Sequence, residues 1–195
     1  ENVAIRKELV DIGNQLNEIM AKLSTVVDRS EIAPFLLDLG KPAEKREYLW
    51  YNNQPAKADV TLIDIYSQAN HSIHIVDDYL SIKTLYLLQD IKEGVEVTVF
   101  SDNRYRKLHA IDYCDFRSEF PHIKVKFIKT KGKLHDRFIV LDFETSEERV
   151  FHCGPSFKDA GKRIAAITED TGGIIQECLD NIIKDMLNNP PLKLK

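Results

Sequence analysis

The sequence contains no run approaching the ~20 consecutive apolar residues that a membrane-spanning helix requires, and its first residues carry no signal-peptide pattern. The expectation is a cytoplasmic protein with no membrane partner. Cysteine is scarce: Cys114, Cys153 and Cys178 are odd in number and show no metal-ligand spacing. They are expected to be buried thiols in a reducing compartment, with no metal and no cofactor implied. A surplus of positive charge is missing as well, since 27 Lys and Arg against 31 Asp and Glu leave a net charge of −4. That excludes a surface coated all over for nucleic acid and leaves a local basic patch open. No internal repeat is present, so a second copy of any catalytic motif is not hidden in the chain. The first residue is Glu1 rather than Met, as expected of a piece of a longer protein.

What is present fits one α/β domain of average size with an appendage. The 195 residues, 43% of them hydrophobic, are too few for two full domains. Ile5, Leu9, Ile12, Leu16, Ile19, Leu23 and Val26 recur at alternating steps of four and three, the heptad pattern of a helix burying a narrow stripe against another helix. With Leu9, Leu16 and Leu23 at one seam position and β-branched residues at the other, the rules for parallel coils favour assemblies above a dimer, up to a tetramer. Antiparallel pairing would void that rule. Met20 and Val27 widen the stripe, which leaves packing on the chain's own body as the alternative. Pro34, Gly40 and Pro42 then mark a connector. The resulting plan is an oligomerisation helix at 1–27, a linker at 28–47, an α/β body at 48–187 and a fraying tail at 188–195 with two prolines.

Within the body, helices around 57–69 and 81–91 alternate with strands at 73–76 and 95–100, which implies parallel neighbours in a sheet. A short helix near 111–119 precedes strands at 123–128, 138–141 and 150–152, with one more strand at 164–168 and a closing helix over 173–187.

The chemistry centres on Lys133-Leu134-His135-Asp136-Arg137, which leads into an apolar strand ending at Asp142. On a strand, positions 135 and 137 face the same side, while Asp142 faces the other way and reads as structural. An imidazole beside a guanidinium suits a phosphate: the first can attack phosphorus or donate a proton, the second can hold non-bridging oxygens. By itself, such a pair is more often part of a salt-bridge network than a catalyst. The following segment, Gly154-Pro155-Ser156-Phe157-Lys158, adds a turn that would return Ser156 and Lys158 to the same strand end. Asp77, Asp78 and Tyr79 also follow a strand; their carboxylates suit a cap or turn, with a metal site as the alternative. Arg104, Arg106, Lys107, Lys131 and Lys133, with Tyr105 interleaved, form a candidate nucleic-acid-binding set, against the alternative of a solvated face. His71, His74, His122 and His152 read as structural.

These residues resemble the phospholipase D superfamily, whose pattern is His-x-Lys-x-x-x-x-Asp followed by a Gly-Ser-x-Asn-like turn. His135, Arg137 and Asp142 match the first element with Arg in place of Lys, and Ser156 and Lys158 fall where the family has Ser and Asn. Glu169 lies thirteen residues beyond Ser156, the spacing of a His-orienting Glu in small nucleases of the superfamily. Tyr51-Asn52-Asn53-Gln54, Ile75-Val76-Asp77-Asp78-Tyr79, the segment from Gly94 to Phe100, His135-Asp136-Arg137-Phe138 and the segment from Gly154 to Lys162 are similar to a prokaryotic subgroup. There a His-Asp-Arg domain of this type follows a phage-type DNA-binding domain. The resemblance covers roughly 48–187.

It implies an α/β fold with a mixed sheet flanked by helices, preceded here by the coiled-coil-like helix. It also implies a metal-independent phosphodiesterase, most plausibly a nuclease, working as a homo-oligomer through a phospho-histidine. His135, Arg137, Ser156, Lys158 and Glu169 would form the catalytic set, with phosphate held by Arg137, Ser156 and Lys158. The competing reading is a catalytically inactive module that binds phosphate or nucleic acid and sets the oligomeric state of a DNA-binding protein. A lipid-acting protein is a weaker third reading, because no amphipathic basic helix is present.

Overall fold

The computed structural model describes residues 12, 14, 15 and 47–195, apart from 155, 156 and 172 and the side chains of 158 and 174. Apart from Ile12, Asn14 and Gln15, which are helical, the expected oligomerisation helix and nearly all of the linker lie outside the described residues.

From Glu47 onward the elements run β1 (Glu47–Trp50), α1 (Pro55–Tyr66), β2 (Ser72–Val76), α2 (Ile82–Tyr86), β3 (Glu96–Phe100) and α3 (Ala110–Glu119). They continue with β4 (Val125–Ile128), β5 (Arg137–Leu141), β6 (Arg149–Cys153), β7 (Ala165–Glu169) and α4 (Ile174–Leu187). Strand β1 was not foreseen; four residues with Tyr48 and Trp50 alternating give too short a pattern to stand out. Helix α2 is shorter than expected, because the chain passes into turns after Tyr86.

The seven strands form one mixed sheet in the order β1-β7-β6-β5-β2-β3-β4. Strands β2, β3 and β4 are parallel, and every other pairing is antiparallel. Helices cover both faces, so the central strands are apolar on both sides, as in Ser-Ile-His-Ile-Val of β2. Ile73, Ile75, Val99, Ile139 and Phe151 face α1, α2 and α3, which contribute Leu62, Ile65, Leu85 and Phe116. Val76, Phe100, Phe138, Val140 and Val150 face α4, which contributes Leu179, Ile183 and Met186 at helical spacing.

Three expectations are corrected. The tail does not fray: the Leu192 N–H donates to the Phe127 carbonyl, the Lys129 N–H donates to Pro190, and Pro191 bridges to Ile128. Leu192 and Leu194 pack on the main core, so the segment covers the β4 edge and removes an unpaired strand edge from solvent. Of the cysteines only Cys153 is buried, since Cys114 and Cys178 sit on solvent-facing sides of α3 and α4. Arg137 opens β5, so His135 lies in the bend before the strand and not on it.

Asp142 has the structural role expected of it. Its buried carboxylate accepts the backbone N–H groups of Asn70, His71 and Ser72, at 2.9, 2.5 and 3.1 Å to Oδ1, and pins the start of β2 to the end of β5. Gly161, beyond the 154–158 turn, has φ +76, and its carbonyl accepts the Gln54 N–H at 2.8 Å. A Cβ there would lie 2.3 Å from the Gln54 carbonyl oxygen. Gly161→Ala should therefore destabilise the fold by about 2 kcal/mol or more, from backbone strain plus a collision with main chain. Urea unfolding measures this, and a change within about 0.5 kcal/mol would be that of an ordinary surface site.

On the α4 face, His74 is buried between Phe100 and Phe143. Burial pushes its imidazole down to about 4 from 6.5, with Lys126 adding to the shift and Glu144 and Glu96 opposing it. Because the folded value lies below the unfolded one, the neutral ring's contribution is complete above pH 6.5 and is lost as pH falls toward 4. A gap of this size corresponds to about 3 kcal/mol. His74→Phe should flatten the loss of stability across that window, and an unchanged slope in pH-dependent urea titrations would contradict it.

Candidate active site

The strand directions collect the ends of β2, β3, β4 and β6 and the beginning of β5 at one end of the sheet. Val76 pairs with Phe138, and Arg137 with Cys153. The segments that follow these strands carry the polar residues singled out in the sequence.

Asp77, one residue past β2, is the hub. Its side chain has no exposed surface, and its two oxygens accept the N–H groups of Tyr79 at 2.9 Å and Phe157 at 3.0 Å. The second bond ties the turn after β6 to the end of β2. Arg137 Nε lies 3.8 Å from Asp77 Oδ1, while Arg137 Nη1 donates to the Gly154 carbonyl at 3.0 Å. The guanidinium also sits 5.4 Å from the Tyr79 ring centre, a cation–π contact. Arg137 is thus oriented on three sides.

Asp78 organises the neighbouring loop. Its Oδ1 accepts from the Asp102 N–H at 2.9 Å and the Thr130 hydroxyl at 2.7 Å, and its Oδ2 lies 3.1 Å from Arg104 Nε. A side-chain hydrogen bond to Tyr79, and then Asp78, hold the Arg104 guanidinium above its ordinary range. Both carboxylates therefore build turns. Among the described residues no group of three or more His, Cys, Asp or Glu side chains is placed to hold a metal ion.

A cleft of about 110 Å³ opens between these segments, lined by Val76, Asp78, Tyr79, Arg104, Leu134, His135, Asp136 and Arg137. His135 is exposed at it and makes no hydrogen bond among the described residues. The structure therefore brings His135 and Arg137 to one cleft and adds Arg104 and Tyr79. Sequence reasoning placed these two elsewhere: Arg104 in a nucleic-acid track, Tyr79 beside a capping pair. The signal available was their position directly after strands.

Glu169 is not brought to His135. It ends β7 opposite Phe151, which pairs with Ile139, so it lies level with Ile139 and two strands away. Four residues at about 3.3 Å each separate Ile139 from His135 along the chain. The Glu169 carboxylate instead receives Arg149 at 2.6 and 3.0 Å, at the opposite end of the sheet. Ser156 and the side chain of Lys158 lie outside the described residues; the backbone of Lys158 forms part of a short 3-10 turn, Phe157–Asp159. Of the basic set, Lys133 pairs with Asp185, Arg104 with Asp78, and Arg106, Lys107 and Lys131 are exposed. Burial, then Asp77, push the Cys153 thiol well up, which makes it a packing residue under the cleft.

A seven-stranded mixed sheet of this order, flanked by helices, is a phospholipase D-like fold. No protein-family model matches the sequence, and no curated protein sequence matches it. Among solved structures, the chain is similar to NucT from Helicobacter pylori, with a TM-score of 0.52 at 14% identity over 77% of this chain and 100% of that one. Nuc from Salmonella typhimurium, a phospholipase D family member, matches with a TM-score of 0.52 at 17% identity over 76% of this chain and 98% of that one. Phosphatidylserine synthase from Haemophilus influenzae matches with a TM-score of 0.52 at 16% identity over 76% of this chain and 38% of that one.

The hub makes a direct prediction. Asp77→Ala leaves the Tyr79 and Phe157 N–H groups without their acceptor and Arg137 without its countercharge, and should cost about 3 kcal/mol. In hydrogen exchange, the Phe157 and Tyr79 amides should lose protection in this variant beyond the global change. Unchanged relative protection of Phe157 would remove Asp77 from its role in holding the turn.

Proposed function

We propose that this chain is one half of a phospholipase D-type phosphodiesterase that completes its site with a second copy of itself and acts as a nuclease. The observation that carries the reading is His135 standing exposed at a cleft whose walls supply two guanidinium groups, Arg137 and Arg104. The imidazole of one copy attacks phosphorus, forming a P–N bond as the P–O bond to the leaving group breaks. The imidazole of the second copy gives its proton to the leaving oxygen. That second imidazole then takes a proton from water, which displaces the first and restores both. Arg137 stabilises charge on the equatorial oxygens, with Ser156 and Lys158 on the adjoining turn as further phosphate contacts.

A second reading is favoured by a specific observation. Arg137 is already engaged by Gly154 and Asp77, and no carboxylate of this chain orients His135 among the described residues. On that reading the cleft binds phosphate groups of a nucleic acid without turning them over, and the domain serves the oligomeric assembly of a DNA-binding protein.

Turnover of bis(p-nitrophenyl) phosphate separates the two. The phosphodiesterase reading expects hydrolysis that survives EDTA and falls about a hundred-fold or more in His135→Ala. The binding reading expects no turnover and a salt-sensitive affinity for oligonucleotides that weakens in Arg137→Ala.

A further inference from the structure

Residues 104–106 send consecutive side chains to different parts of the same sheet end. Arg104 lines the His135 cleft. Arg106 lines a separate groove of about 700 Å³ between this loop and the docked C-terminal tail, with Lys129, Lys193 and Lys195 also in its wall. Asp102 borders the groove too, but its oxygens accept the backbone N–H groups of Lys131 and Gly132, at 3.2 and 3.0 Å. Between cleft and groove stands Tyr105, 74% exposed. Its ring lies 5.3 Å from that of Tyr79, the cleft residue against which Arg137 rests.

The backbone holding Tyr105 out is strained. Asn103, Tyr105 and Arg106 have φ of 46, 68 and 48, none is glycine, and a bulky aromatic residue in the left-handed region is an outlier. The loop is fixed from beneath: Asn103 donates to the Ser101 hydroxyl and, through its side-chain amide, to the Leu108 carbonyl, both at 2.9 Å. The Arg104 N–H donates to the Asp78 carbonyl at 2.6 Å. Strain over-determined in this way, at a loop that holds an aromatic ring in solvent, points to a ligand contact. A flat aromatic face between cations suits one ligand chemistry best: a base stacked on the ring with phosphates on either side. A base can reach an exposed ring only if it is unstacked and unpaired.

We propose that Tyr105 is the stacking platform for an unpaired nucleobase next to a phosphate held in the His135 cleft. The single strand continues from there into the basic groove formed with the C-terminal tail. This rests on the reading that the cleft takes a phosphodiester, and it adds the substrate's form, a single-stranded nucleic acid, and the residue that reads it.

The test is binding, measured by fluorescence anisotropy with a phosphorothioate-linked thymidine oligonucleotide that resists cleavage, and with the same strand carrying abasic positions. Tyr105→Ala should weaken binding of the base-bearing strand roughly 5- to 100-fold and leave the abasic strand unchanged, whereas Tyr105→Phe should bind as wild type. Tyr105→Trp should be quenched by the strand, a clean signal because the native Trp50 is 1% exposed. Lys193→Ala with Lys195→Ala should lower the salt slope by about 0.7 for each phosphate that is no longer neutralised. Equal losses on both strands, no loss in Tyr105→Ala, no binding by the wild type, or equal competition by a duplex would each overturn the proposal. The phosphodiesterase reading fails separately: a wild-type protein that binds the strand through Tyr105 but hydrolyses no phosphodiester overturns that reading and leaves this one standing.

Discussion

The cleft depends on one buried carboxylate. Asp77 sits at the end of a strand that is apolar on both faces, where an unpaired charge would be strongly unfavourable. It is tolerated because two backbone N–H groups and a guanidinium converge on it, and that convergence gives the site its shape. Through the Tyr79 N–H it bends the chain after β2, through the Phe157 N–H it draws in the turn after β6, and beside it stands Arg137 at the head of β5. Asp142 does the corresponding work at the other end of β5, with three backbone donors. A strand bracketed by two such carboxylates cannot slide without stranding a buried charge.

The same constraint explains why the residue two positions beyond His135 is an arginine. The position must approach the Asp77 carboxylate and bond the Gly154 carbonyl at once, while its planar group rests against Tyr79. A planar fork with several fixed donors does all three, and a single ammonium point cannot. Arg137 therefore joins scaffold and cleft: the guanidinium that lines the cleft is the one that holds the turn in place. Arg104 is tied in a similar way by Asp78 and Tyr79, so the positive wall of the cleft is built from groups whose positions are already set.

The second acidic residue of the pair extends this order outward. Asp78 gathers the segments after β3 and β4 through Asp102 and Thr130, and this shelf carries the strained loop from Asn103 to Arg106. The C-terminal segment, paired along β4, closes the shelf from the other side and turns an exposed strand edge into the wall of a groove. Cleft, exposed Tyr105 ring and groove are thus products of one packing arrangement at one sheet end.

The amino-acid sequence by itself determined the α/β class, the alternation of most strands and helices, and the local pairing of His135 with Arg137. Each of these is written in short-range periodicity and in neighbours a few residues apart. The structural Asp142, read as facing away from His135, was legible for the same reason. Tertiary structure alone decided which distant residues meet. Glu169 stands at a suggestive spacing from Ser156, yet strand register sets it level with Ile139 and gives it to Arg149. Asp77 read as a cap or turn residue, and only the approach of the β6 turn made it the hub; the tail read as loose until the β4 edge supplied its partners. Spacing along a chain carries no information about which strands lie side by side. That is settled by the burial of both sheet faces and by the pairing of backbone donors and acceptors, a property of the whole fold.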